Sequence, residues 1–159
     1  MGRIRLPRTK SCFVCGVKNP SGLQLSFDTD GQKVYGEFVP RPEHVGFKGI
    51  VHGGVLATVL DEVMVWVCGV VTGRFAFCAE MTTRFVRPVR PGETLQVEAE
   101  LVTNRRGRLF EARSRIVDLA GVVRVEGRGK YIPVSDEVMR EFDGDLLEPW
   151  PPRELIKEA

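Results

Sequence analysis

Apolar and polar residues alternate over several segments of this chain, and one segment is apolar almost throughout. Residues 22–28 alternate apolar and polar side chains, which is the period of a half-buried strand. The pair Asp30-Gly31 is a turn sequence, and a second alternating segment follows at residues 33–39. These two segments predict a β-hairpin that precedes the apolar segment.

The apolar segment covers residues 54–71, and its apolar side chains occupy all sides of a helical wheel rather than one stripe. It is too long for an ordinary buried strand, and Thr72-Gly73 supplies a plausible helix stop. The pattern therefore predicts one long helix that is buried on every side.

Four further segments have a period of two and are separated by turn sequences rich in Gly, Pro and Asn, so they predict a four-strand antiparallel meander. They are residues 75–86, 93–103, 108–118 and 121–132. Residues 135–142 predict a short helix capped by Ser135, and an irregular tail with several prolines follows.

A solitary helix that is apolar all round needs cover on every side, which a curved antiparallel sheet wrapped about it provides. A second subunit would cover the side that the sheet leaves bare. The pattern predicts an α+β fold in a single domain, 1–159. Its parts are an N-terminal CxxC segment (12–21), a core of sheet and helix (22–132) and a C-terminal helix and tail (133–159).

Composition adds few constraints. Of 159 residues 43% are apolar, enough for a core, and 23 basic against 21 acidic side chains leave a net charge of only +2. This balance predicts neither a nucleic acid nor a membrane partner. The N-terminus lacks an apolar signal core and the apolar segment carries two adjacent carboxylates, so we expect a cytoplasmic protein without a signal peptide or membrane span.

The four cysteines include one CxxC pair, Cys12 and Cys15, whereas Cys68 and Cys78 stand alone in apolar segments. Zinc usually needs four ligands, and a second CxxC or paired histidines are missing. We therefore expect reduced thiols, no metal and no cofactor, and an unusual metal or redox role of the CxxC pair is the alternative.

Asp61 and Glu62 are the only formal charges between Gly49 and Gly73. A carboxylate inside such an apolar segment is costly unless it forms a structural ion pair or takes part in a reaction. Asp61 is the stronger candidate catalytic residue, and Glu62, about 100° away on the helical wheel, is the weaker one.

The start of the helix is the second candidate feature, because His52 precedes Gly53 and Gly54 there. Free N–H groups and the positive end of the helix dipole at such a start form an oxyanion hole, although glycines also serve close packing, and a lone histidine is often structural. Asp61 lies about 10 Å farther along the helix than Gly54, so one carbonyl cannot contact both. Two antiparallel helices related by a two-fold axis would bring the two features together.

The string from Gly49 to Glu62 resembles the HGG-x6-D signature of hotdog-fold thioesterases of the phenylacetate-pathway type. The CFVCG and NPSGL stretches of the CxxC segment, and Arg84 to Pro88, also resemble members of that superfamily. The resemblance implies a hotdog fold, in which the N–H of Gly53 binds the thioester oxygen and Asp61 acts from the partner subunit as nucleophile or general base.

The chain departs from the family at two positions. Many relatives have an Asn where this chain has Gly46, and a Ser or Thr where it has Cys78. These departures leave the residues that would orient a water molecule unassigned.

The sequence as a whole predicts an acyl-CoA thioesterase that acts as a homodimer or tetramer. Its predicted substrate-binding residues are Cys78, Trp66 in an acyl groove, and arginines for the CoA phosphates, namely Arg84, Arg87, Arg105 and Arg106. Two alternatives stay open: a non-catalytic acyl-CoA-binding protein and an enoyl-thioester hydratase or dehydratase.

Overall fold

A computed structural model describes residues 2–155 and contains seven strands and two α-helices, with short 3-10 helices at Pro42–His44 and Arg153–Leu155. The strands are β1 Ile4–Arg5, β2 Phe27–Thr29, β3 Lys33–Phe38, β4 Ala76–Phe85, β5 Leu95–Asn104, β6 Phe110–Asp118 and β7 Val123–Pro133. The helices are α1 Gly53–Thr72 and α2 Asp136–Asp145. The part of the predicted tail beyond residue 155 lies outside the described residues.

All seven strands form one antiparallel sheet in the order β1-β2-β3-β5-β6-β7-β4. The sheet wraps around α1, which contacts β3, β4, β5, β6 and β7. This arrangement confirms the predicted α+β architecture. β4 is the last strand of the sheet, so one long edge has no partner within residues 2–155.

Helix α1 begins and ends within one residue of the prediction. His52 caps its N-terminus, and Gly73 ends it in the left-handed conformation with φ of 75°, donating its N–H to Gly69 at 2.8 Å. By length and composition α1 would suffice to cross a membrane, with a mean hydropathy of 1.9, but half of that window is buried inside the fold. Its apolar surface is therefore largely covered by the sheet.

The predicted four-strand meander is wrong at its first link. β4 pairs with β7 rather than β5, and the meander contains only β5, β6 and β7. The link passes the start of α1, where the N–H of Val51 binds the carbonyl of fully buried Val89 at 2.8 Å. Pro88 and Pro91 within the link lack an N–H and so oppose a continued ladder there.

The first predicted strand, residues 22–28, joins the sheet only at Phe27–Thr29. Gln24 has a left-handed φ of 60°, which turns the chain away from the sheet. Leu23 and Leu25 are nevertheless buried, and their N–H groups bind carbonyls of the CxxC segment at 2.8 and 2.9 Å. The alternation predicted the buried side chains correctly, but Leu23 and Leu25 pair with the CxxC segment and not with a strand of the sheet.

Candidate active site

Asp61 lies on the side of α1 that faces β7, where the phenol of Tyr131 donates a hydrogen bond to its Oδ1 at 2.9 Å. Tyr131 is completely buried. Burial and the negative charge of Asp61 both raise the pKa of Tyr131, so the phenol keeps its proton and remains a donor. Asp61 itself is half-buried, and the ion pairs among the described residues include none to it. Because none of these ion pairs provides a cation for the Asp61 carboxylate, the hydrogen bond from Tyr131 is what holds this carboxylate in position.

Tyr131 is a site residue that the sequence reasoning missed. Its ring folds back over Gly129, where an added Cβ would lie 2.4 Å from the ring, so this position accepts only glycine without rearrangement. The sequence did contain a signal: Tyr131, Gly129 and Gly127 alternate along β7 on the face that turns toward α1. A bulky residue that follows small ones on a helix-facing strand has room to reach the helix.

Cys78 pairs with Tyr131 in the register of β4 and β7, next to a bulge between Cys78 and Glu80. Bulges re-aim side chains and are common beside active sites. The thiol is exposed at the edge of the sheet, and partial burial of its sulfur, followed by the charge of Asp61, raises the pKa of Cys78. The structure therefore brings Asp61, Tyr131 and Cys78 together.

At the start of α1, the imidazole of His52 accepts the N–H of Gly54 through Nδ1 at 2.8 Å. His52 is thus a helix cap, and the N–H of Gly54, one of the two predicted oxyanion donors, is occupied by it. No acceptor for the N–H of Gly53 lies among residues 2–155. Gly53 is therefore the donor that is free to bind a ligand.

The imidazole ring of His52 also explains why glycine occupies two neighbouring positions. An added Cβ at Gly46 would lie 2.9 Å from Cδ2 of His52, and one at Gly54 would lie 2.9 Å from Nδ1. The position where many relatives were expected to carry Asn is therefore filled by the His52 ring. Close packing, the alternative reading of these glycines, accounts for Gly46 and Gly54.

Strand β4 runs beside α1 in the opposite direction. The ring of Phe85 lies 3.1 Å from the Cβ position of Gly53, and Cys78 lies near Asp61. Gly53 and Asp61 thus both lie along the strip between α1 and β4, which is called the groove below, about 12 Å apart along the helix. Phe85 and Cys78 are exposed, because the open edge of β4 leaves this groove uncovered.

Glu62 lies away from this groove, beside the CxxC segment. Its Oε1 accepts the thiols of Cys12 and Cys15 and the indole N–H of Trp66, at 3.3, 3.2 and 3.2 Å. Desolvation raises the pKa of Glu62 to about 8, and a hydrogen bond from Cys15 lowers the pKa of Cys12. This position does not support the predicted catalytic role of Glu62.

Trp66 is buried in an aromatic cluster, with ring centroids 5.2 Å from Phe75 and 5.7 Å from Trp150. Because it hydrogen-bonds Glu62 and packs on that side of α1, its position does not support the predicted contact with an acyl chain.

The predicted arginines do not form one cluster in this chain. Arg84 faces outward from β4 and pairs with Glu126 of β7 at 3.7 Å, and Arg87 is exposed just beyond it. Arg105 and Arg106 lie in the turn between β5 and β6, at the opposite end of the sheet. A single CoA molecule bound to one subunit would not contact both pairs.

Comparisons with known proteins bear on the family and the fold of this chain. Residues 48–125 match the family model described as the thioesterase superfamily. A solved structure of a thioesterase superfamily protein shares 28% identity with a TM-score of 0.69, and the match covers 76% of this chain and 59% of that one. This chain therefore spans less than two thirds of that protein's length. No curated protein matches the sequence.

Two further solved structures are more distant in sequence. The E. coli PaaI protein from the phenylacetic acid degradation operon shares 20% identity, with a TM-score of 0.65 over 71% of this chain and 81% of that one. A Streptococcus mutans protein bound to acetyl CoA shares 15% identity, with a TM-score of 0.61 over 65% of this chain and 82% of that one. Residues 48–125 of this chain are thus similar to the thioesterase superfamily, and the sheet wrapped around α1 is the hotdog fold of these structures.

Proposed function

We propose that this protein hydrolyses an acyl-CoA thioester to a free acid and CoA, in active sites shared between two copies of the chain. The observation that carries this proposal is the Asp61 carboxylate, which faces an open groove with Tyr131 as its hydrogen-bond donor and no cation beside it. A carboxylate held in this way is available to a substrate rather than used in an ion pair.

The second half of the site is the free N–H of Gly53 at the start of α1. A donor at a helix N-terminus stabilises the negative oxygen that develops when a thioester carbonyl is attacked. If Asp61 attacks the carbonyl carbon, the CoA thiolate leaves a mixed anhydride on Asp61, and a water molecule then hydrolyses this anhydride to the free acid and the Asp61 carboxylate. If Asp61 instead removes a proton from a water molecule, that water attacks the carbonyl carbon and the CoA thiolate leaves. In both routes the thiolate takes up a proton.

One chain cannot assemble these two halves around one carbonyl, because about 12 Å separates Gly53 from Asp61. The open edge of β4 supports assembly by a second copy. It is ten residues long, and its exposed residues include Phe77 and Phe85. A long strand edge without a partner favours pairing with another chain. A two-fold axis beside β4 would place Gly53 of one copy opposite Asp61 of the other.

The substrate class rests on the superfamily and on the acetyl CoA bound to the S. mutans protein. Within this chain, exposed Arg84 and Arg87 lie at the same end of β4 as Phe85, and thus near Gly53. They are the cations best placed for the CoA phosphates of a thioester held at this end of the groove.

A hydratase or dehydratase would use a histidine together with a carboxylate, and the positions of both histidines oppose this alternative. Nδ1 of His52 accepts the N–H of Gly54, and Nδ1 of His44 accepts the N–H of Arg41 at 3.0 Å. Desolvation also lowers the pKa of His44, which is buried. Hydration of an enoyl thioester is therefore not the favoured reaction.

The test is thiol release from a panel of acyl-CoA thioesters of different chain length, including aromatic acyl groups. We expect hydrolysis by the wild type and a loss of at least about 100-fold in kcat/KM for Asp61→Asn, which keeps the shape and an acceptor for Tyr131. Glu80→Gln, a change at an exposed carboxylate of β4, serves as the matched control. An active Asp61→Asn variant would disprove the role of Asp61, and acyl-CoA binding without turnover would indicate a non-catalytic protein.

A further inference from the structure

Three potential metal ligands from two separate parts of the sequence meet on a side of α1 that faces away from the groove. They are the thiols of Cys12 and Cys15 and the carboxylate of Glu62, whose ligand atoms all lie within 4.8 Å of one another. Glu62 lies 47 residues beyond Cys15. The sequence prediction of no metal rested on the absence of a second CxxC or of paired histidines, whereas the fold adds Glu62 as a third potential ligand.

The spacing of these atoms fits a tetrahedral zinc site. With bonds of about 2.3 Å to sulfur and 2.0 Å to oxygen, the sulfur–oxygen edge of a zinc tetrahedron is about 3.5 Å. The two thiols lie 3.3 and 3.2 Å from Oε1 of Glu62, close to that edge. Two of the three edges between these ligand atoms therefore approach those of a zinc tetrahedron, and the third, between the two sulfurs, is within 4.8 Å.

We propose that Cys12, Cys15 and Glu62 bind one Zn²⁺ ion, with a water molecule at the fourth position, and that the ion fastens the CxxC segment to α1. Binding releases to solvent the protons that the two thiols and Glu62 hold, and two thiolates with one carboxylate then surround the dication. Thiolate ligands select zinc over magnesium and calcium, which prefer oxygen.

Outer groups already orient the three ligands. The N–H of Val14 donates to Sγ of Cys12 at 3.3 Å, and Trp66 donates to the carboxylate of Glu62 at 3.2 Å. The hydroxyl of Thr9 lies 3.4 Å from Sγ of Cys15. Donors of this kind around the ligands are typical of metal sites, where they fix orientation and stabilise the deprotonated forms.

The loop that carries the cysteines is also held in shape without a metal. Gly16 N–H binds the carbonyl of Cys12 at 2.8 Å, and an added Cβ at Gly16 would lie 2.3 Å from that oxygen, so the tight turn requires glycine. The segment after it is tied down by the N–H groups of Leu23 and Leu25. The two sulfurs therefore reach Glu62 from a constrained turn rather than from a loose terminus.

The Glu62 carboxylate has no cation in the structure. The ion pairs of residues 2–155 do not include it, and its three donors all converge on Oε1. An acidic group without a cation either keeps its proton, as the raised pKa of Glu62 indicates, or coordinates a metal that displaces the proton.

The experiment measures metal in the untagged full-length protein, purified under nitrogen without chelators. We expect about one zinc per chain in the wild type by mass spectrometry, and less than about a tenth of that in Cys12→Ser and Cys15→Ser. Glu62→Gln should weaken zinc binding at least about tenfold. Cys78→Ser changes a thiol outside the cluster and should retain the zinc.

A second measurement uses the wild type alone, so it does not depend on variants that fold. Co²⁺ added to the metal-free protein should produce thiolate-to-cobalt absorption and the visible bands of a four-coordinate site, and Zn²⁺ should remove them. Zn²⁺ should also raise the thermal midpoint of the wild type but not of Cys12→Ser. Absence of the cobalt spectrum, zinc retention by both cysteine variants, or a Cys12–Cys15 disulfide as the resting form would overturn the proposal.

Discussion

The phenol of Tyr131 donates a hydrogen bond to Asp61 across 2.9 Å, and this contact joins the last strand of the meander to the central helix. Tyr131 contributes an uncharged donor whose proton is retained, because burial and the neighbouring carboxylate raise the pKa of Tyr131. In the proposed thioesterase it is a positioning residue that acts through Asp61.

Replacing Tyr131 by Phe removes only this donor. We expect kcat for thioester hydrolysis to fall about tenfold with KM nearly unchanged, since the lost hydrogen bond to a charged group holds Asp61 rather than the substrate. Steady-state kinetics with the best acyl-CoA of the panel, together with a thermal melt, check this. A rise in KM with constant kcat would contradict the positioning role.

Two substitutions at Gly53 distinguish the role of its N–H from the effect of an added side chain. Gly53→Pro removes the N–H at the first helical position, where proline is well tolerated, and His52 already has the extended conformation (φ −60°, ψ 132°) that precedes proline. We expect Gly53→Pro to lower kcat/KM about 100-fold, as is typical for the loss of one oxyanion donor.

Gly53→Ala is the matched control, because it adds the same Cβ against Phe85 but keeps the N–H. The exposed Phe85 ring is able to move by a few tenths of an ångström, so this variant should retain most of the activity. Equal losses in the two variants would show that crowding against Phe85, and not the donor, is responsible.

A site shared between copies predicts that two inactive variants restore each other. A mixed dimer of Asp61→Asn and Gly53→Pro has one site with both defects and one site with neither. Random mixing should recover about a quarter of the wild-type rate, because half of the dimers are mixed and each has one intact site. Co-expression with two different tags allows the mixed form to be isolated, and this form should show about half of the wild-type rate. A mixed form as inactive as its parents would place each site within one chain.

The thiol of Cys78 reports on the charge of Asp61. Partial burial and that charge raise the pKa of Cys78, so its thiolate fraction at neutral pH is smaller than that of an ordinary thiol. Asp61→Asn removes the charge and lowers the pKa, so alkylation of Cys78 by iodoacetamide should accelerate about threefold at fixed pH. Mass spectrometry of the Cys78 peptide over a pH series measures the midpoint. A midpoint that does not move in Asp61→Asn would mean that the two groups do not interact.

The boundaries of α1 and of β4 to β7 agree with the sequence prediction to within two residues. Apolar periodicity and turn residues are local properties of the sequence, so they can be recognised without knowledge of the fold. The same holds for Asp61 and Gly53, because a carboxylate inside an apolar helix and glycines at its start stand out along the chain. The link between β4 and β5 was predicted wrongly, because strand pairing depends on long-range contacts that period two does not encode.

The chain's own sequence thus determined the helix, the alternating strands and the presence of two chemical groups about 12 Å apart on one helix. Only the tertiary structure decided what those groups meet. In the folded chain Tyr131 donates a hydrogen bond to Asp61, and the N–H of Gly54 donates to His52. Glu62 faces away from the groove and contacts Cys12 and Cys15. The physical reason is that Asp61 and Glu62 are adjacent in sequence but point about 100° apart, so packing of the sheet and the N-terminal segment gives each a different environment.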